Sequence, residues 1–438
     1  MRRYGIVGSG VAGLSAAAVI RAQDPGSEIW NISDDPFGFY SRPGLAYLLS
    51  GEVPEQFLFP MSEDDFRGLK IRRWQARAER IETAGQQVVL EDGSTVPYDR
   101  LLIATGAAAS LPAVPGVNLN GVIKLDHLQD AHDILSIARR ARTAIVVGGG
   151  ITALELVEGL LARRVQPHYL LRGSRYWNNV LDETESRIIE RRLVEHGVEL
   201  HFQTELTEIR GDNGRVTGIR TKSGLEIRCE MVGIAIGIQP RKELGDLSGI
   251  NTGRGILVNE YLQTSDPAVY AAGDVAQVFD PASGAYLFDS LWSTAREQGR
   301  IAGLNMCDLA TPYSKKLAFN VTRLAGLTTT IIGQVGGGGK DADLTGIARG
   351  DSETWRHTTD AISVSSDTKE GRLRIQIGPQ TLLGAVVMGN QALSQPLQDL
   401  IYNQVDISPV RARLLQPQAP IAGLMIQFWN NWKKADAA

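Results

Sequence analysis

Twice in this chain of 438 residues an apolar segment runs into a glycine turn and then into a helical stretch. The first copy is YGIVGSGVAGLSAAAVIRA, with Gly8-x-Gly10-x-x-Gly13; the second is AIVVGGGITALELVEGLLARR, with Gly148-x-Gly150-x-x-Ala153. In such a unit the first glycine makes the turn and the second lets a phosphate approach the backbone. The third lets helix and strand pack closely, a task Ala153 also meets. Alone the spacing is weak, and a glycine turn without ligand remains the alternative. With strand, helix and second strand in place it predicts a parallel α/β unit that cradles a dinucleotide.

The units repeat further. In each, a second strand (EIWNIS; HYLLR), a hairpin and a buried strand ending in glycine follow in the same order, so residues 5–106 match 145–237. Two units imply two dinucleotide sites. Residues 255–310 form a third block, and beyond about 315 the style changes to strands (RLRIQI, LLGAVVMG), the turn QVGGGG and a helical end. The expected fold class is α/β, with two Rossmann-like dinucleotide-binding domains and a C-terminal α+β domain. The domains are expected at 1–112 with 241–314, at 113–240 and at 315–438.

A net charge of −4 gives no pull toward nucleic acid. Cys229 and Cys307 are far apart and outside any CxxC spacing, which argues against a disulfide framework or a zinc site and for a reducing, cytoplasmic compartment. The six histidines are scattered and read as ordinary surface or packed residues, with no metal site expected. The N-terminus mimics a signal peptide, but only the phosphate-loop reading explains its glycines. No stretch has 18 uninterrupted apolar residues to span a membrane.

Several residues follow from the two units. Asp34 and Asp35 are placed to hold ribose hydroxyls, or else to start the turn before Pro36. Glu155 falls early on the second helix, near a nicotinamide or simply in a favourable place for the helix dipole. Where an NAD site carries an acid, this chain has Arg172, followed by Ser174 and Arg175. Arginine offers a charge-assisted fork to a 2′-phosphate and so favours NADPH over NADH; solvated charge or stacking on adenine is the alternative. Gly106 and Gly273 each directly follow a buried strand, and Gly237 closes the second unit. Asp274 after Gly273 suits a ribityl or ribose hydroxyl, or an N-cap.

These features in this order resemble the FAD/NAD(P) pyridine-nucleotide oxidoreductase superfamily. YSRPGLAYLLSGE at 40–52 is similar to reductases that serve rubredoxin, ferredoxins or the flavin part of nitrite reductase. The resemblance covers residues 1 to about 312 and extends weakly beyond. It implies FAD on Gly8, Gly10 and Gly13, with Arg42 and Pro43 beside the flavin. Thr105 and Gly106 would lie at the domain crossover, Asp274 on the ribityl chain and Trp292 near the ring. NAD(P)H would occupy the second fingerprint, with Glu155 close to the nicotinamide, and pass hydride to flavin. Electrons would go on to an external acceptor, a redox protein or partner reductase.

Three departures qualify this. There is no cysteine before Cys229, so the thiol relay of the disulfide reductases is not expected. Tyr47 stands where ferredoxin reductases carry a lysine that pairs with the acid on the nicotinamide helix, so the partner of Glu155 is open. Arg172 stands where NADH-using relatives have Glu. The final helix, IAGLMIQFWNNW followed by two lysines, sets Ile421, Leu424, Met425, Phe428, Trp429 and Trp432 on one face. That face packs on the C-terminal domain or a second subunit, such as a homodimer partner, or it lies on a membrane. The last case would suit a peripheral NAD(P)H:quinone reductase. A third reading is a flavin-bearing NAD(P)H sensor with little turnover.

Overall fold

Two five-stranded parallel sheets repeat one plan. In the first the order is Val269–Ala271, Arg100–Ile103, Arg3–Val7, Glu28–Ser33, Ile71–Gln75. In the second it is Val122–Ile123, Met231–Ile234, Thr143–Val147, Gln166–Leu170, Glu199–His201. Neighbouring strands run parallel throughout both. This computed structural model describes residues 1–280, 284–336, 347–356, 361–368 and 371–436. The internal repeat read from the sequence is thus a repeat of sheet order.

The inner strands are continuous apolar runs because helices cover both faces of a parallel sheet. Ile6, Leu101, Leu102 and Ile103 in the first, and Ile145, Val146 and Val232 in the second, are fully buried. Helices Val11–Gln23 and Ile151–Ala162 begin directly after Gly10 and Gly150. Each unit also carries a three-stranded antiparallel sheet, Ala78–Glu82 with Gln87–Leu90 and Thr95–Pro97, and Leu206–Asp212 with Arg215–Thr221 and Glu226–Arg228.

Two elements lay hidden in the sequence. Ile71–Gln75 (IRRWQ) is the edge strand of the first sheet, and its charged, exposed residues hide the apolar signal that inner strands carry. Helix Gly44–Ser50 sits inside a segment rich in proline and glycine, which carries no helical signal of its own.

The C-terminal region is an antiparallel sheet ordered Phe319–Leu324, Leu327–Gly333, Leu382–Gly389, Gly371–Ile377, Ile362–Thr368. Helices Ser394–Tyr402, Ser408–Leu414 and Ile421–Asp436 cover one face. On the last helix Ile421, Leu424 and Met425 are buried, Phe428, Trp429 and Trp432 pack on the same core, and the Trp429 indole N–H donates to Asp399 (2.9 Å). The helix face is therefore spent on its own domain, the first of the three occupants considered. No helix of the described residues is long and apolar enough to cross a membrane. The second half of the QVGGGG turn, beyond Gly336, lies outside the described residues.

The other face of this sheet packs on the second nucleotide unit. Ile331, Val386, Met388 and Trp355 join one buried cluster with Leu154, Val157 and Ile189. Trp177 and Trp355 meet edge to face at 6.2 Å. Arg374 donates to both oxygens of the buried Glu185 carboxylate (2.8 and 2.9 Å), tying the sheet to helix Glu183–Glu195.

Candidate functional site

The first glycine loop divides its residues by role. Gly8 has φ +112°, and a Cβ there would stand 2.2 Å from the carbonyl oxygen of Ala104. A Cβ on Gly13 would stand 2.3 Å from the oxygen of Gly8. Both positions are closed by the fold itself. A Cβ on Gly10 would meet nothing within 4 Å. Gly10 thus faces open space at the start of the helix, where backbone N–H groups and the helix dipole favour a phosphate.

At the end of the neighbouring strand the two acids part. Asp34 is exposed. Asp35 accepts from the Phe37 N–H (3.0 Å) and the Tyr40 hydroxyl (3.1 Å) and lies 3.6 Å from His127 and 3.8 Å from Arg42. Burial opposes its ionisation, but His127, Phe37, Arg42 and Tyr40 together hold its carboxyl below the usual range.

The second loop repeats the division. A Cβ on Gly148 would meet the Ala235 oxygen at 2.2 Å, and Ala153 is fully buried at the packing position. Gly150 differs from Gly10, because the Ala348 Cβ lies 3.2 Å from where its own would stand. A piece of the C-terminal domain therefore borders this loop. Glu155 is half-buried one turn further along. Burial, then repulsion from Glu158, pushes its carboxyl up to about 7, while Arg349 opposes the rise. Glu158 accepts from the Gly326 N–H (2.9 Å), and burial pushes it also to about 7. Arg172 is exposed just beyond strand Gln166–Leu170. Arg175 donates to the backbone oxygens of Asn178 (3.2 Å) and Leu181 (3.4 Å), so part of its guanidinium braces the following loop.

Between the two units lies a charged junction. Its centre is Asp126, fully buried, where the chain enters the second unit. Arg42 donates to its backbone oxygen (3.1 Å), and Arg241 (3.4 Å) and Lys124 (3.5 Å) approach its carboxylate. Arg349 binds both the Asp126 carboxylate and its backbone oxygen (3.2 Å). Burial opposes ionisation, but Arg349, His127, Lys124 and Arg42 hold Asp126 well below the usual carboxylate range.

Thr105 and Gly106 (φ +69°) position one of these cations. The Thr105 hydroxyl donates to the Arg241 carbonyl (2.8 Å), and the Arg241 N–H donates to the Gly106 carbonyl (2.9 Å). Pro43 directly precedes helix Gly44–Ser50 and so fixes how the chain leaves Arg42.

The strap that carries Arg349 touches both units. The Ile238 N–H, beside Gly237 (φ +124°), donates to the Ile347 carbonyl (2.9 Å). The Gly350 N–H donates to the Ser290 carbonyl (2.9 Å), and the Ser290 hydroxyl donates to Asp274 (3.0 Å). Burial raises Asp274, with Arg349, Ser290 and Arg42 opposing. Gly273 (φ +81°) is held by Gln298, which accepts from its N–H (2.8 Å). Trp292 starts helix Trp292–Met306, 39% exposed, with Arg296 above its ring. Tyr47 is 39% exposed and lies against Arg323, which pairs with Glu52.

The fold thus gathers Arg42, Asp35, Thr105 and Gly106 around Asp126, and links Asp274 to the strap. Tyr47, Trp292 and Arg175 stand apart. Asp126, Arg241 and Arg349 were missed. An acid three residues after strand Val122–Ile123 is a faint signal for the first; Arg349 sits in GIARGD, which carries none.

Two glycine cradles on one repeated sheet plan, met by a third domain, define a protein built from two dinucleotide-type α/β units. The pattern of the pyridine nucleotide-disulphide oxidoreductases matches residues 2–299, and the chain belongs to that family. It is 27% identical over 425 residues, 96% of its length, to the NAD(P)H nitrite reductase of Bacillus subtilis, and spans half the length of that protein. It is 30% identical over 311 residues to rhodocoxin reductase of Rhodococcus erythropolis, covering 70% of this chain and 73% of that one. A ferredoxin reductase from Rhodopseudomonas palustris shares the fold with a TM-score of 0.84 at 21% identity, over 97% of this chain and 99% of that one.

Proposed function

We propose that the chain is an FAD-dependent NAD(P)H oxidoreductase that passes electrons to an external acceptor, a small redox protein or a partner reductase. The observation that carries this is the pair of cradles, with Gly8 and Gly148 closed by carbonyls and Gly10 open. The residues fit two dinucleotides, FAD on the first loop and NAD(P)H on the second. When bound, the flavin takes hydride from the nicotinamide and releases electrons.

The chain's own groups align and tune. Arg42 and Asp274 would flank the flavin, and Thr105 and Gly106 hold Arg241 at the crossover. Glu155 would stand beside the nicotinamide, where a carboxyl near 7 exchanges its proton at ordinary pH. The sequence left Glu155 without its usual lysine. Arg349, delivered from the C-terminal domain, supplies the positive charge from another direction, while Tyr47 packs on Arg323 instead.

A thiol relay has no support. Both cysteines are unpaired, and burial pushes the Cys229 thiol up to about 12. The names of the relatives point to two acceptor classes, rhodocoxin for the rhodocoxin reductase and a partner reductase for the assimilatory nitrate reductase electron transfer subunit of Bacillus subtilis.

Arg172, exposed at the end of its strand, supports NADPH over NADH. Rapid mixing of the FAD-loaded protein with each nucleotide tests this, followed by turnover with ferricyanide, a quinone and a small iron–sulfur protein. NADPH should reduce the flavin faster. Arg172→Glu should move the preference toward NADH by about 10–100-fold, the worth of one charged hydrogen bond. Faster reduction by NADH in the unaltered protein would refute the role of Arg172. Flavin reduction with no acceptor restoring turnover would refute the oxidoreductase reading.

A further inference from the structure

Away from the junction, the edge of the second parallel sheet assembles three side chains that neither cradle uses. Strand Glu199–His201 runs beside Gln166–Leu170 in a register that pairs His168 with Glu199 and Leu170 with His201. Residues two apart on a strand share a face. His168, Glu199 and His201 therefore project from the same side.

His168 Nδ1 lies 3.1 Å from His201 Nε2 and 3.3 Å from Glu199 Oε2. One donor atom from each residue lies within 4.8 Å of the other two. Ligand atoms bound at 2.0–2.1 Å on a tetrahedral ion stand about 3.3 Å apart. The spacing is that of a coordination edge.

A hydrogen bond between the imidazoles accounts for the 3.1 Å contact, but it makes no use of Glu199. Three donors of types that zinc accepts account for all three residues. Both imidazoles are half-buried and Glu199 is exposed, so the fourth position faces solvent.

We propose that His168, Glu199 and His201 form a site for a divalent transition ion, zinc by ligand type, with one position left to water. In the sequence the histidines read as scattered; strand register joins two of them. The ion would cross-link the three-residue edge strand to its neighbour. The same strand segment is already stitched to the Arg172 loop, since the Leu171 N–H donates to the His201 carbonyl (2.9 Å) and the Gln203 N–H to the Gly173 carbonyl (3.1 Å).

The test uses the full-length, flavin-loaded protein, stripped with a chelator and titrated with Zn2+ by calorimetry. One ion should bind per chain at low-micromolar free Zn2+, and the thermal midpoint should rise with it. His168→Gln and His201→Gln should each weaken binding about tenfold or more, at unchanged flavin content. Glu199→Gln, at an exposed position, repeats the test without a packing change and should weaken binding less. No binding by the unaltered protein, or binding that all three variants retain, would overturn the proposal.

Discussion

Arg349 carries more of the junction than any residue the sequence pointed to. Its guanidinium binds Asp126, and its charge opposes the raised pKa values of both Glu155 and Asp274. Arg349→Gln removes a cation that favours the Glu155 carboxylate, so that group should titrate above 7. Glu155 and Glu158 interact, and the midpoint observed belongs to the pair. The pH dependence of flavin reduction by NAD(P)H, and of nucleotide affinity, should shift upward in Arg349→Gln and stay near its original place in Arg349→Lys. An unmoved midpoint would count against the link. A carboxyl raised in the folded state also works against stability: the folded form is favoured below the ordinary value near 4.5 and loses that advantage as pH rises through about 7.

Among the elements, the glycine loops were the most legible and strand Ile71–Gln75 the least; the final helix was legible, but the surface that covers its face was not. Part of a loop's constraint is local, since a Cβ on Gly13 would meet the Gly8 oxygen and Ile6, while Gly8 is closed by Ala104, far along the chain. The final helix has an apolar face that suits a lipid surface as well as a protein core, and sequence alone does not choose. The fold sets Leu424 and Met425 into the core beneath Leu397 and Leu400. Deleting residues 421–436 should therefore destabilise the C-terminal domain, at about 1.5–3 kcal/mol for each buried large side chain lost. Full-length protein should stay in solution during vesicle flotation. A truncated protein of unchanged stability to urea, or flotation of the intact one, would contradict this assignment. Strand Ile71–Gln75 escaped the sequence because it is an edge strand whose place is set by its pairing with Glu28–Ser33.

For the whole molecule the decisive contact is the docking of the C-terminal sheet on the second nucleotide unit. Besides Trp177 on Trp355, it rests on Arg374 (3% side-chain exposure) and Glu185 (none), with Arg372 reaching Asp182 at 2.8 Å. Truncating one partner of a buried pair leaves the other charge without compensation, at about 3–5 kcal/mol. Arg374→Ala should lower the urea midpoint accordingly and loosen the strap that holds Arg349. Replacing Arg374 and Glu185 together by apolar residues should cost less. A loss in the double variant equal to the sum of the two single losses would show that the pair contributes no coupling.

GxGxxG and its second copy, with the strands and helices between them, made two glycine loops and an α/β plan legible, because glycine spacing and one repeated apolar period are read along the chain, even though Gly8 and Gly148 are closed by distant carbonyls. The same local pattern placed Gly106, Gly237, Gly273 and Asp274 after their strands. The partner of Glu155, the burial of Asp126 and the meeting of His168 with His201 were decided by tertiary structure alone. A charge acts through space: Arg349 lies 194 positions from Glu155, and nothing periodic or local marks it until the third domain folds against the other two.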